Sequence, residues 1–144
     1  MIRILENFIS VYELLNYQSS FSYKEFTVLK SHDEVEESKS GSCHDQVMYE
    51  LQELRNIGIN PKALFLMVID ENGQGYDTHS FVYYKNDDFY YWYENAWEQY
   101  RGIHKYKSFN EMLDDIKNNN PKEKKFIVLY PFILFYIALG IFAM

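Results

Sequence analysis

Apolar positions along the chain change period several times, and each change predicts an element. Leu5, Phe8, Ile9, Tyr12 and Leu15 recur at helical spacing between Glu6, Asn7, Glu13 and Asn16, which predicts an amphipathic helix packed on the domain. Residues 18–42 are polar and rich in Ser, Lys and Glu. Within them Ser31, with Glu34 three residues on, has the form of a capping box, so a short helix is expected there. A clearer helix follows: Ser42 suits its N-cap, Val47, Leu51 and Leu54 form its apolar stripe, and Gly58 ends it with Pro61 just beyond.

The period then shortens. Residues 63–69 form a continuous apolar run of strand length, closed by Asp70-Glu71-Asn72-Gly73. Residues 78–84 and 89–97 are rich in aromatic and β-branched side chains, and Lys85-Asn86-Asp87-Asp88 between them predicts a hairpin with a short loop. Ser108 and Glu111 make another capping-box pattern ahead of Met112, Leu113 and Ile116, a helix ended by residues 118–121. The order is helix, polar segment, helix, three strands, helix, apolar tail. It predicts an α+β domain over residues 1–125, with helices on a small antiparallel sheet.

The tail is a separate question. Residues 126–144 contain no charged side chain and follow Lys122-Glu123-Lys124-Lys125. As a helix the segment is about 28 Å long, close to the roughly 30 Å of a bilayer core. The flanking lysines favour retention of its start on the cytoplasmic side. The favoured expectation is therefore a C-terminal membrane anchor with the domain in the cytoplasm. The alternative splits the segment at Pro131, with residues 126–130 closing the sheet as a strand and the rest packing on the domain.

Composition adds limits. A chain of 144 residues suits one domain with one core. Aromatic residues reach 19 %, with 14 Tyr and 11 Phe, mostly in the strand-like runs, where a broad ring with a polar tip fits a half-buried face. The net charge of −7, with no basic face, argues against nucleic-acid binding. The N-terminal segment is too polar for a secretory signal core. The single Cys makes an intrachain disulfide impossible and agrees with a reducing compartment.

That cysteine is also the first candidate for chemistry. Cys43 falls in the first turn of the helix capped by Ser42, where unpaired N–H groups and the helix dipole favour a thiolate. The hairpin supplies a partner. If Tyr84 pairs with Phe89, His79 lies directly opposite Glu94, with Cβ atoms about 4.5–5.5 Å apart on one face. A carboxylate there orients one imidazole nitrogen and leaves the other for the thiol proton. Each feature alone has a plainer reading. A lone Cys near a helix start is more often a small buried hydrophobe, and a His–Glu pair on a strand is more often a surface pair. Their combination is what favours a site with an exposed nucleophile. His44 is a poor base for the neighbouring thiol, because adjacent helical residues point about 100° apart. His32 and His104 lie in polar segments and are expected in solvent. No Cys or His spacing suits a metal, and Gly73 and Gly75 make no phosphate loop, so neither metal nor cofactor is expected.

At these residues the sequence resembles the transglutaminase-like cysteine peptidase superfamily, in particular its small bacterial members. The carriers are Gly41-Ser42-Cys43-His44-Asp45-Gln46, Thr78-His79-Ser80-Phe81 and Tyr91-Trp92-Tyr93-Glu94-Asn95-Ala96-Trp97, with a weaker continuation through Arg101-Gly102-Ile103-His104. The likeness spans roughly residues 31–118. It implies a papain/transglutaminase-like core, with Cys43 as nucleophile, His79 as general base and acid, and Glu94 as orienting group. The family often has Trp where this chain has His44, and Asp is the commoner third member. The expected function is thiol-dependent hydrolysis or acyl transfer at amide bonds of a peptide or protein substrate, with the Cys43 N–H in the oxyanion site. The competing expectation is an inactive domain of the same fold whose tyrosine-rich hairpin binds a partner.

Overall fold

Four serines start the four α-helices found among the described residues. Ser10, Ser31, Ser42 and Ser108 stand in extended backbone, and each hydroxyl accepts the N–H of the residue three positions on: Glu13, Glu34, Asp45 and Glu111. Each thereby satisfies one of the donors that a helix start leaves unpaired. The structure is a computed structural model that describes residues 8–25, 28–70, 76–119 and 124–131. Its helices are α1 (Val11–Gln18), α2 (His32–Ser38), α3 (Cys43–Ile57) and α4 (Phe109–Asn118).

The first helix departs from expectation. It begins after Ser10, so Ile9 and Tyr12 are exposed while Leu14 and Gln18 turn inward. Phe8 lies outside the helix but is buried, and the expected positions before it lie outside the described residues. The cap, and not the apolar spacing, sets the start. At the other end of α3, Gly58 has φ +97°, a left-handed C-cap that a Cβ would disfavour.

Two short strands, β1 (Ser22–Tyr23) and β2 (Ser40–Gly41), pair in parallel. The main sheet holds β3 (Pro61–Asp70), β4 (Tyr76–Asn86), β5 (Phe89–Glu94), β6 (Gly102–Tyr106) and β7 (Lys124–Pro131), in the order β6-β5-β4-β3-β7. Every neighbouring pair in it is antiparallel. The mixed α+β class follows the sequence reading. The β4–β5 hairpin does not follow the expected register. Asn86 pairs with Phe89, so the turn is Asp87-Asp88 alone, with Asp87 in the left-handed region at φ 54°. A two-residue turn of that hand suits the strand twist. It moves the pairing by two residues, which leaves every side chain on its expected face.

Alternation along the strands divides the core. Ala63, Val82, Tyr84 and Tyr93 pack with Val35, Val47, Leu51 and Leu54 from α2 and α3. Leu64, Leu66, Phe81 and Trp92 cluster with Met112 and Ile116 of α4. The Cys-bearing helix thus covers one face and α4 the other.

Strand β6 was not expected from sequence, and neither was the length of β7. Lys124–Pro131 pairs with β3, the arrangement weighed as the alternative to a membrane helix. An anchor running through residues 126–144 would require this strand to leave β3. Residues 132–144 lie outside the described residues. No helix among the described residues is long and apolar enough to cross a membrane.

Candidate active site

The chain is turned sharply just before Cys43. Ser42 and Asp45 form a reciprocal cap: Ser42 Oγ accepts the Asp45 N–H at 3.3 Å, and Asp45 Oδ2 accepts the Ser42 N–H at 2.9 Å. The Ser42 hydroxyl also lies 3.0 Å from Asp45 Oδ2, and Asp45 Oδ1 accepts the Lys30 N–H at 2.8 Å. This carboxylate ties the polar segment to the helix start. It also explains Gly41, where a Cβ would come within 2.7 Å of Asp45 Cβ. The Ser-x-x-Asp spacing was a signal present in the sequence, although only Ser42 was used from it.

Cys43 is the first residue of α3. Contrary to the expected exposure, it is only 6 % accessible. It lines an open pocket of about 220 Å³ together with Tyr23, Thr78, His79, Ala96 and Trp97. The other two candidates meet it there. His79 Nε2 and Glu94 Oε1 are 2.5 Å apart, and the His79 ring shares the pocket with the Cys43 thiol, near enough for each to shift the other's ionisation. Since Nε2 serves Glu94, Nδ1 is the nitrogen left for sulfur. The ring is held between Phe81, near-parallel at 6.2 Å, and the edge of Trp97 at 5.2 Å.

The sheet makes this meeting possible. β5 pairs with β4 only from Val82 to Asn86, so the Thr78–Phe81 stretch of β4 extends past its neighbour. The chain leaving β5 crosses that open end and brings Glu94 and Trp97 to His79. The N-terminus of α3 reaches the same end. Asn95 alternates away from the imidazole: its amide nitrogen donates to Gln46 Oε1 at 2.7 Å and to the Gln18 carbonyl at 3.1 Å. Gln18 Nε2 in turn donates to Glu50 Oε1 at 2.9 Å. Burial raises the Glu50 carboxyl well above its ordinary range, with the hydrogen bond from Gln18 opposing.

Charge in the pair follows from these contacts. Burial opposes ionisation of Cys43, but the neighbouring imidazoles of His44 and His79 outweigh it and bring the thiol down to about 6. Burial likewise opposes the imidazolium, and the Glu94 carboxylate and the thiol outweigh it, lifting His79 to about 10. Between those limits the favoured form is thiolate beside imidazolium. That is the nucleophile and acid that attack on a carbonyl requires.

His44 corrects one expectation. Its Nδ1 and Nε2 lie 3.6 and 3.8 Å from Cys43 Sγ, so neighbouring helical residues do meet here. The near-equal distances place sulfur between the two nitrogens and not along one N–H axis, and Nδ1 is 2.7 Å from Ser80 Oγ. His44 is therefore a polar wall to the thiol, standing on the opposite side of β4 from His79. Tyr23 and Trp97 were not singled out from sequence, because both come from segments whose approach to Cys43 is purely tertiary. His32 and His104 are not simply solvated. His32 stacks on Tyr49 at 4.8 Å and bonds Glu53 at 2.8 Å. His104 stacks on Trp92 at 4.6 Å and donates from Nε2 to the Tyr100 carbonyl at 2.7 Å. Among the described residues no group of His, Cys, Asp or Glu is placed to hold a metal ion.

No family model and no curated protein matches the chain.

Proposed function

We propose that the protein is a thiol-dependent hydrolase or acyl transferase acting on amide bonds of peptides or proteins, with the transglutaminase-like arrangement that its motifs resemble. The observation that carries this reading is one imidazole, His79, bonded to a buried carboxylate and facing the same pocket as a helix-start thiol. The thiolate of Cys43 attacks the carbonyl carbon, forming a C–S bond while the π pair moves to oxygen. The pair returns as the amine leaves, taking the proton held by His79. Water or an amine then gives its proton to His79, attacks the thioester, and releases Cys43 as thiolate. Apart from the Cys43–His79 pair, the pocket walls Tyr23, Thr78, Ala96 and Trp97 carry no charge, which suits a neutral amide.

The thiol must remain reduced for this chemistry, which supports a cytoplasmic setting. The test is alkylation by iodoacetamide at pH 6, with Cys43→Ala as the control. Rapid labelling, together with loss of turnover in Cys43→Ala, is the expected result. A wild type that resists labelling would instead favour the non-catalytic interaction domain.

A further inference from the structure

Attack on an amide generates an oxyanion, and the reading above provides one donor for it, the backbone N–H of Cys43. The structure shows a second polar group at that place. β1 runs parallel to β2 with Tyr23 level with Gly41, and the Lys24 N–H donates to the Gly41 carbonyl at 3.1 Å. This pairing sets the Tyr23 side chain against the turn that begins α3. Its side chain lines the pocket with Cys43 and His79, close enough to the Cys43 sulfur to feel its charge. Tyr23 is 54 % exposed, far more than core burial demands, so packing does not account for its position.

We propose that Tyr23 is a catalytic residue that donates its hydroxyl to the oxyanion formed when Cys43 attacks a carbonyl. This rests on the thiol-hydrolase reading. With the Cys43 N–H at the helix start as one donor and the Tyr23 O–H as the other, the carbonyl oxygen meets two donors as charge develops on it. The group is also in the right state. Burial and the neighbouring Cys43 sulfur raise the phenol above its ordinary value, so it remains a donor over the range in which the thiolate–imidazolium pair is favoured.

The test separates two reactions of one sulfur. Iodoacetamide is attacked by displacement of iodide and forms no oxyanion; p-nitrophenyl acetate is attacked at its carbonyl and does. In Tyr23→Phe, which keeps the ring, the acylation rate read from p-nitrophenolate release should fall about 10²-fold. The alkylation rate, its pH profile and the melting temperature should remain those of the wild type. Acylation at the wild-type rate overturns the role of Tyr23 and leaves the hydrolase reading standing. A parallel loss of alkylation also overturns it, since Tyr23 would then act on the thiol and not on the oxyanion. A wild type that alkylates but is never acylated overturns the hydrolase reading itself, and this role with it.

Discussion

Glu94 reaches His79 along a diagonal of the sheet and not straight across it. One step beyond the last β4–β5 pair, Val82 with Tyr93, Glu94 is level with Phe81, two residues from His79 on the same face. Diagonal neighbours are about 7–8 Å apart, beyond the reach of a short side chain. The longer carboxylate closes that gap to 2.5 Å. The methylene that distinguishes Glu from the commoner Asp is thus matched to the two-residue turn at Asp87-Asp88.

Glu94→Asp should therefore behave as a loss and not as a conservative change. Shortening the side chain by about 1.5 Å takes the carboxylate out of hydrogen-bond range of Nε2. We expect kcat/KM to fall about 10²–10⁴-fold, nearly as far as in Glu94→Gln. An NMR titration of the His79 ring should show its midpoint dropping from about 10 toward the ordinary imidazole range. If Glu94→Asp retains both rate and midpoint, the diagonal geometry is wrong.

The pH profile follows from the two shifted groups. Alkylation of Cys43 should rise through about pH 6, well below an ordinary thiol. Acylation should also rise near 6, then fall near 10 as the imidazolium loses its proton, the two limits belonging to the coupled pair. His79→Gln should move the alkylation midpoint upward toward about 8.5. A midpoint unchanged by that substitution would show that His79 does not stabilise the thiolate.

Away from the pocket, His32 joins α2 to α3 by stacking on Tyr49 and bonding the buried Glu53. Its pKa is raised, chiefly by the hydrogen bond to Glu53, with burial opposing. A raised folded-state value means the contribution is complete below about pH 6.5, the unfolded value, and disappears as pH climbs through the folded one. His32→Gln should cost about 1–2 kcal/mol at pH 5.5 and less at pH 8.5, measured by urea unfolding. An equal or larger cost at the higher pH would contradict the ion pair.

Gly41→Ala tests the turn ahead of the nucleophile. The added Cβ meets Asp45 Cβ at 2.7 Å, too close to accept, so the capping carboxylate must shift. We expect a loss of about 1–3 kcal/mol in thermal unfolding, from the overpacked turn and the weakened cap. The alkylation midpoint should rise with it, as the helix start loosens around the thiol. A variant with wild-type melting would mean that the cap relaxes without cost.

Much of this protein was legible in its residues because the signals are local. Ser31, Ser42 and Ser108 announce helices through their own hydroxyls, and Gly58 ends α3 because its φ favours glycine. The His79–Glu94 contact was legible too, since alternation preserves a face even when register slips by two. What lay beyond the sequence depends on which distant segments share an edge. β6 is a short strand whose register comes from pairing with β5, and β7 pairs with β3 out of a segment whose favoured reading was a membrane helix. The burial of Cys43, the contact of His44 with sulfur and the placement of Tyr23 at the helix start all arise where the end of β4, the N-terminus of α3 and β1 converge. Periodicity reports which side of an element faces inward. Only the packed sheet decides what waits on the other side of the gap.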